Sequence, residues 1–184
     1  MVVYVDICKP VGENELRKVD DFSFWLRDVI NSYDTTEEIQ DIKNPLQKGI
    51  YIEGTFIKVL KEIFPDEIIT QSPNSGHYLN SLDVEMQTKK GLFLIDVSSV
   101  TNKKVNGYEY FYLDISKKSS EKALKICDMR KSQGFMSYKF MNQWFIFPLN
   151  NKVIVELMTS KSVINLRDLK DIALSLDKFK EMIQ

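Results

Sequence analysis

The feature that most constrains this chain is a pair of apolar runs, "LDVEMQTKKGLFLIDVSS" over residues 82–99, each carrying an aspartate and separated by Thr88-Lys89-Lys90-Gly91. The residue types and the central turn predict a β-hairpin. Side chains alternate across a strand, so Leu82, Val84 and Met86 share one face of the first run and Asp83, Glu85 and Gln87 the other. In the second run Leu92, Leu94, Asp96 and Ser98 lie opposite Phe93, Ile95 and Val97. Both of its faces are mostly apolar, which marks a central strand. An isolated carboxylate there costs several kcal/mol of desolvation unless it is paired or metal-bound. If the hairpin brings Asp83 and Asp96 together, a divalent cation relieves their repulsion, and an oxygen-ligand site for Mg2+ is the expectation. Such an ion polarises a phosphodiester and activates a bound water, so the implied chemistry is phosphodiester hydrolysis.

The rest of the chain supplies a scaffold. Apolar residues at three-and-four spacing predict helices from Glu15 to Asn31 and from Ile50 to Ile63, the second ended by Pro65 and carrying Glu53 in its first turn. Residues 34–48 read as a loop or short helix, and the opening "MVVYVDICKP" as a short strand. After the polar stretch 101–107, "YEYFYLDI" (108–115) reads as a strand, and a helix capped by Ser116 runs to about Ser132. "QWFIFPL" (143–149) and "KVIVELM" (152–158) are expected to form a second hairpin about Asn150-Asn151. A last helix follows an Asn165 cap, with Leu166, Leu169, Ile172, Ala173, Leu176 and Phe179 inward. At 184 residues and 43% hydrophobic, the expectation is one α/β domain, 1–184, with a sheet covered by helices.

Charge and cysteine usage narrow the function. A net charge of -1 excludes strong non-specific polyanion binding by this chain alone, so nucleic-acid contact is local or shared with a partner. Cys8 and Cys127 form no zinc or disulfide pattern. With no secretory signal or membrane-length apolar run, a cytoplasmic protein is expected.

Asp83, twelve intervening residues, then Asp96-Val97-Ser98 at the end of an apolar strand resembles the signature of the PD-(D/E)XK nuclease superfamily. The resemblance implies a restriction-endonuclease-like mixed central sheet flanked by helices. It also implies that Asp83 and Asp96 bind Mg2+, with Mn2+ able to substitute, that the Val97 carbonyl is a third ligand, and that Glu53 joins from the preceding helix. Leu82 stands at the motif's proline position and Ser98 at its lysine position. Lysine orients the attacking water and offsets charge in the transition state. In its absence Ser98 is the residue for the water, or Lys103 or Lys104 reaches back from the next loop. The acidic-x-Ser ending is similar to the small catalytic subunits of heterodimeric type IIS restriction and nicking enzymes, which implies a double-stranded DNA substrate, one strand cut, and a larger recognition subunit.

Other features have simpler explanations beside functional ones. A first-turn glutamate such as Glu53 is favourable at a helix N-terminus through the helix dipole. His77, in a turn-rich loop, is a ligand only in an alternative reading as a metal-dependent RNA endonuclease. Lys117, Lys118, Lys122, Lys125, Arg130 and Lys131 form either a solvated helix face or a contact for the DNA backbone. A second alternative keeps the fold but makes the chain a non-catalytic DNA-binding or assembly subunit.

Overall fold

A computed structural model describes residues 45–72, 81–115, 117–152, 154–156 and 163–184. The expected strand at the start, the helix from Glu15 to Asn31, and His77 lie outside the described residues. Helix α1 (Pro45–Ile63) opens with a proline, whose missing N–H costs nothing in a first turn, and ends before Pro65. It therefore begins in the segment read as loop or short helix. Strands β1 (Ile68–Gln71), β2 (Val84–Thr88) and β3 (Gly91–Ser98) follow, the last two forming the expected hairpin about Lys89-Lys90.

The polar stretch after β3 is not a loop. It is strand β4 (Val100–Val105), hairpinned to β5 (Tyr108–Asp114) through Asn106-Gly107. Both turn residues have positive φ, 51° and 82°, the backbone that an Asn-Gly pair adopts most readily. Helix α2 (Lys117–Met129) leads into β6 (Gln133–Phe140), which turns at Met141-Asn142 into β7 (Gln143–Pro148).

The second expected hairpin is thus corrected: β7 pairs with the strand before it, not with 152–158. Residue 152 and residues 154–156 are helical, and the Val155 N–H donates to the Asn151 carbonyl at 2.9 Å. Beyond them lie β8 (Val163–Asn165), α3 (Leu166–Leu169), β9 (Leu174–Ser175) and α4 (Leu176–Ile183). The single last helix is therefore two. Asn165 caps the first as expected, and the Ser175 hydroxyl caps the second by accepting from the Lys178 N–H.

The main sheet has the order β1-β2-β3-β6-β7-β9, and β4, β5 and β8 form a second, three-stranded sheet. Among the described residues only β3 and β6 pair in parallel within the main sheet, and a parallel pair requires a crossover; here it carries the β4–β5 hairpin and α2. The strand alternation sends side chains into two cores. Phe93, Ile95, Phe135 and Ile146 pack with Phe56 and Leu60 of α1 and Phe179 of α4. Leu94, Met136, Tyr138 and Phe147 pack with Ala123, Ile126 and Cys127 of α2 and with Leu113 of the small sheet. This is a mixed α/β fold with a mixed central sheet flanked by helices.

Gly134 marks a close approach of α2 to the sheet. A Cβ there would lie 2.5 Å from Cys127 Sγ and 3.3 Å from Leu149 Cδ1. Gly134→Ala is expected to destabilise the fold by about 1–3 kcal/mol, as overpacking does. In a Cys127→Ala background most of that loss should vanish, and chemical denaturation of the four-variant cycle measures the coupling.

Candidate active site

Within the hairpin, Val84 pairs with Ile95, Glu85 with Leu94 and Met86 with Phe93. One further step of the same register sets Asp83 opposite Asp96. Residues directly opposed across an antiparallel pair have Cβ atoms about 4.5–5.5 Å apart, so the backbone itself forces the two side chains together. Asp83 Oδ2 accepts a hydrogen bond from the Val97 N–H at 2.8 Å, which ties the residue just before β2 to the end of β3. The Asp83 main chain is held as well, its carbonyl accepting from the Ser72 N–H at 2.9 Å. Asp83 is buried and Asp96 half-buried.

Burial pushes the Asp96 carboxyl well above the ordinary carboxylate range, and the adjacent charge of Asp83 and a hydrogen bond between the two carboxyls push it the same way. Glu53 adds a further repulsion to Asp96. Its own carboxyl is raised by burial and then by Asp83, while the Gln71 side-chain amide, donating to Oε2 at 3.0 Å, lowers it. Because α1 begins at Pro45, Glu53 stands in the middle of the helix rather than in its first turn. The helix dipole therefore does not account for it.

A cleft of about 310 Å³ opens over this pair, lined by Asp83, Asp96, Val97 and Ser98 of the hairpin, by Asp114 at the end of β5, and by Ser119 and Lys122 of α2, among others. Ser98, the last residue of β3, is half-buried at its rim. Lys103 and Lys104 are exposed on β4 and do not line the cleft, so neither reaches back beside Ser98. Of the basic helix residues, Lys125 and Lys131 are exposed. Arg130 instead forms a two-pronged ion pair with Glu85, its Nη2 donating to Oε2 at 3.2 Å. That pair also accounts for Glu85, whose carboxyl Arg130 holds below the ordinary range. Asp114 was not a candidate from the sequence, since a single acid after "YEYFYL" carries no signal until the small sheet folds over β3.

Among the described residues no group of three or more His, Cys, Asp or Glu side chains is placed to form a metal cage. The donor set nevertheless suits Mg2+, which is commonly held by one or two carboxylates with waters and substrate phosphate completing the shell. Two hard-oxygen carboxyls close enough to share a proton meet that description, because a bound cation would relieve the same repulsion that the shared proton relieves.

With this geometry in view, the fold finds a match among solved structures. The chain shares the fold of Hjc, a Holliday junction resolvase from the archaeal hyperthermophile Archaeoglobus fulgidus, with a TM-score of 0.53 and 12% sequence identity over 73% of this chain and 96% of that one. It is the restriction-endonuclease-like architecture implied by the acidic motif. No protein-family model and no curated protein sequence matches the chain. No helix among the described residues is long and apolar enough to cross a membrane.

The raised Asp96 carboxyl fixes a pH dependence. The folded state holds this proton more tightly than the unfolded chain, so the contribution of Asp96 to stability is fully present below the ordinary carboxylate range and is lost as pH rises through the shifted value. In metal-free buffer at neutral pH, Asp96→Asn should raise stability by about 1 kcal/mol, in the range of other substitutions that relieve functional strain. The melting temperature should then rise about 2–4 °C, and the gain should shrink toward pH 4. Thermal unfolding across that range checks the sign.

Proposed function

We propose that this chain is a Mg2+-dependent endonuclease that hydrolyses phosphodiester bonds of double-stranded DNA, with Mn2+ able to replace Mg2+. The observation that carries the reading is the opposed pair Asp83 and Asp96 at the mouth of the cleft. The fold shared with a Holliday junction resolvase supports it. When bound, the ion supplies Lewis-acid polarisation of the phosphate and lowers the pKa of a coordinated water. Asp83 and Asp96 hold it, with the Val97 carbonyl as a third ligand and Glu53 as an auxiliary one from α1. The Val97 N–H fixes the rotamer of Asp83, so the acid is oriented before any ion arrives. Gln71 does the same for Glu53. Ser98 holds the attacking water by hydrogen bonding.

The near-neutral charge supports a finer assignment, a small catalytic subunit that cuts one strand while a larger chain recognises sequence. The assay is supercoiled plasmid with Mg2+, run with and without a candidate recognition subunit, beside a linear duplex, a four-way junction and single-stranded RNA. Nicked circles are expected. Asp83→Asn and Asp96→Asn should each reduce cleavage at least about 1000-fold, as loss of a principal charge-stabilising group does, while circular dichroism shows a folded chain. Undiminished cutting by both variants defeats the nuclease reading. Preference for the single-stranded RNA moves the activity to the alternative substrate.

A further inference from the structure

The cleft presents an electrostatic problem that the carboxylates alone leave unsolved. Asp83, Asp96 and Asp114 all line it, and a phosphodiester is itself an anion. A divalent ion offsets part of this negative charge, yet β3 carries Ser98, a neutral side chain, at its end. Among the described residues lining the cleft, Lys122 is the one with a cationic side chain. It sits in the first half of α2, next to Ala123 and one turn before Ile126, and both of those residues line the same cleft. Lys122 is half-buried, whereas Lys125, three residues on, is exposed. A helix tilts its side chains back toward its own N-terminus, and α2 enters directly after the Asp114–Ile115 segment at the cleft wall.

Resting on the nuclease reading above, we propose that Lys122 is a catalytic residue that contacts a non-bridging oxygen of the scissile phosphate and provides from α2 the positive charge that Ser98 does not provide from β3. The reaction balances without a change in Lys122. The water oxygen bonds to phosphorus and gives one proton to solvent, the bridging P–O bond breaks, the leaving oxygen takes one proton from solvent, and the ammonium keeps its three protons throughout. Its contribution is to stabilise charge that grows on the phosphate oxygens.

The experiment uses the full chain in two assays. In Ca2+, duplex DNA binding is followed against salt; in Mg2+, single-turnover cleavage is followed on the same duplex. Lys122→Ala should lower the cleavage rate about 100- to 1000-fold, the usual loss for one preorganised donor. The same variant should reduce the slope of log affinity against log salt by about one unit. Lys122→Arg should keep the salt slope of the wild type. The deciding variant is Ser98→Lys combined with Lys122→Ala: an ammonium returned to the cleft from β3 should restore at least a tenth of the wild-type rate, which a purely structural lysine would not allow.

Thermal melting of each variant within a few degrees of wild type excludes misfolding as the cause. Wild-type cleavage rate and salt slope in Lys122→Ala overturn the inference and leave the nuclease reading standing. So does a loss that Ser98→Lys fails to restore although Ser98→Lys alone, with Lys122 present, still cleaves. A wild-type chain that binds duplex in Ca2+ but never cuts in Mg2+ defeats the nuclease reading and, with it, the catalytic role of Lys122.

Discussion

The register of one hairpin determines where the two cleft aspartates sit. With Val84 opposite Ile95, the next pair is Asp83 and Asp96, so two acids that repel each other when both are ionised are set opposite one another by the strand register. A slip of one residue would move every side chain of the strand to the other face and separate them. The repulsion is localised at the strand ends, where a cleft admits solvent, while Leu94 and Ile95 just before it are fully buried. The Val97 N–H accommodates part of the negative charge by donating to Asp83.

The layers around the sheet bring different groups to that point. On one face α1 buries Phe56 and Leu60 and carries Glu53 toward the acids. On the other, the crossover between parallel strands β3 and β6 lays the β4–β5 hairpin and α2 over the end of β3, and so delivers Asp114, Ser119 and Lys122 to the cleft. The end of this crossover is anchored by Arg130, just after α2, on Glu85 of β2. The close approach at Gly134 keeps α2 seated on β6. The positions of the cleft residues thus follow from a topological requirement, since a parallel pair cannot be joined by a tight turn.

Legibility in the sequence followed the range of the interactions. The α1 stripe, its stop before Pro65, the β2–β3 hairpin and the Asn165 cap are local patterns, and they hold in the structure. Strand β6 gives no clear sequence signal because "QGFMSYKF" has a glycine at its second position and mixes polar with apolar residues, while its pairing partner β3 is far away in sequence. The run "KVIVELM" looked extended because it is β-branched, but β7 had already used its hairpin edge on β6. Asn106-Gly107 was a turn signal in plain view, obscured by the polarity of the lysines on β4. The break in the last helix at residues 170–173 has no proline or glycine to announce it; β9 pairs with β7 instead.

By itself the sequence determined that two aspartates lie at matching positions in an oily hairpin, because strand alternation and turn length are properties of neighbouring residues. It also settled that no lysine follows Asp96 in β3. Only the tertiary structure decided that Glu53 lies mid-helix, that Arg130 pairs with Glu85, and that Lys122, rather than Lys103 or Lys104, shares the acids' cleft. Those placements depend on how helices pack across a sheet, and packing between residues distant in the chain leaves no periodic trace along it.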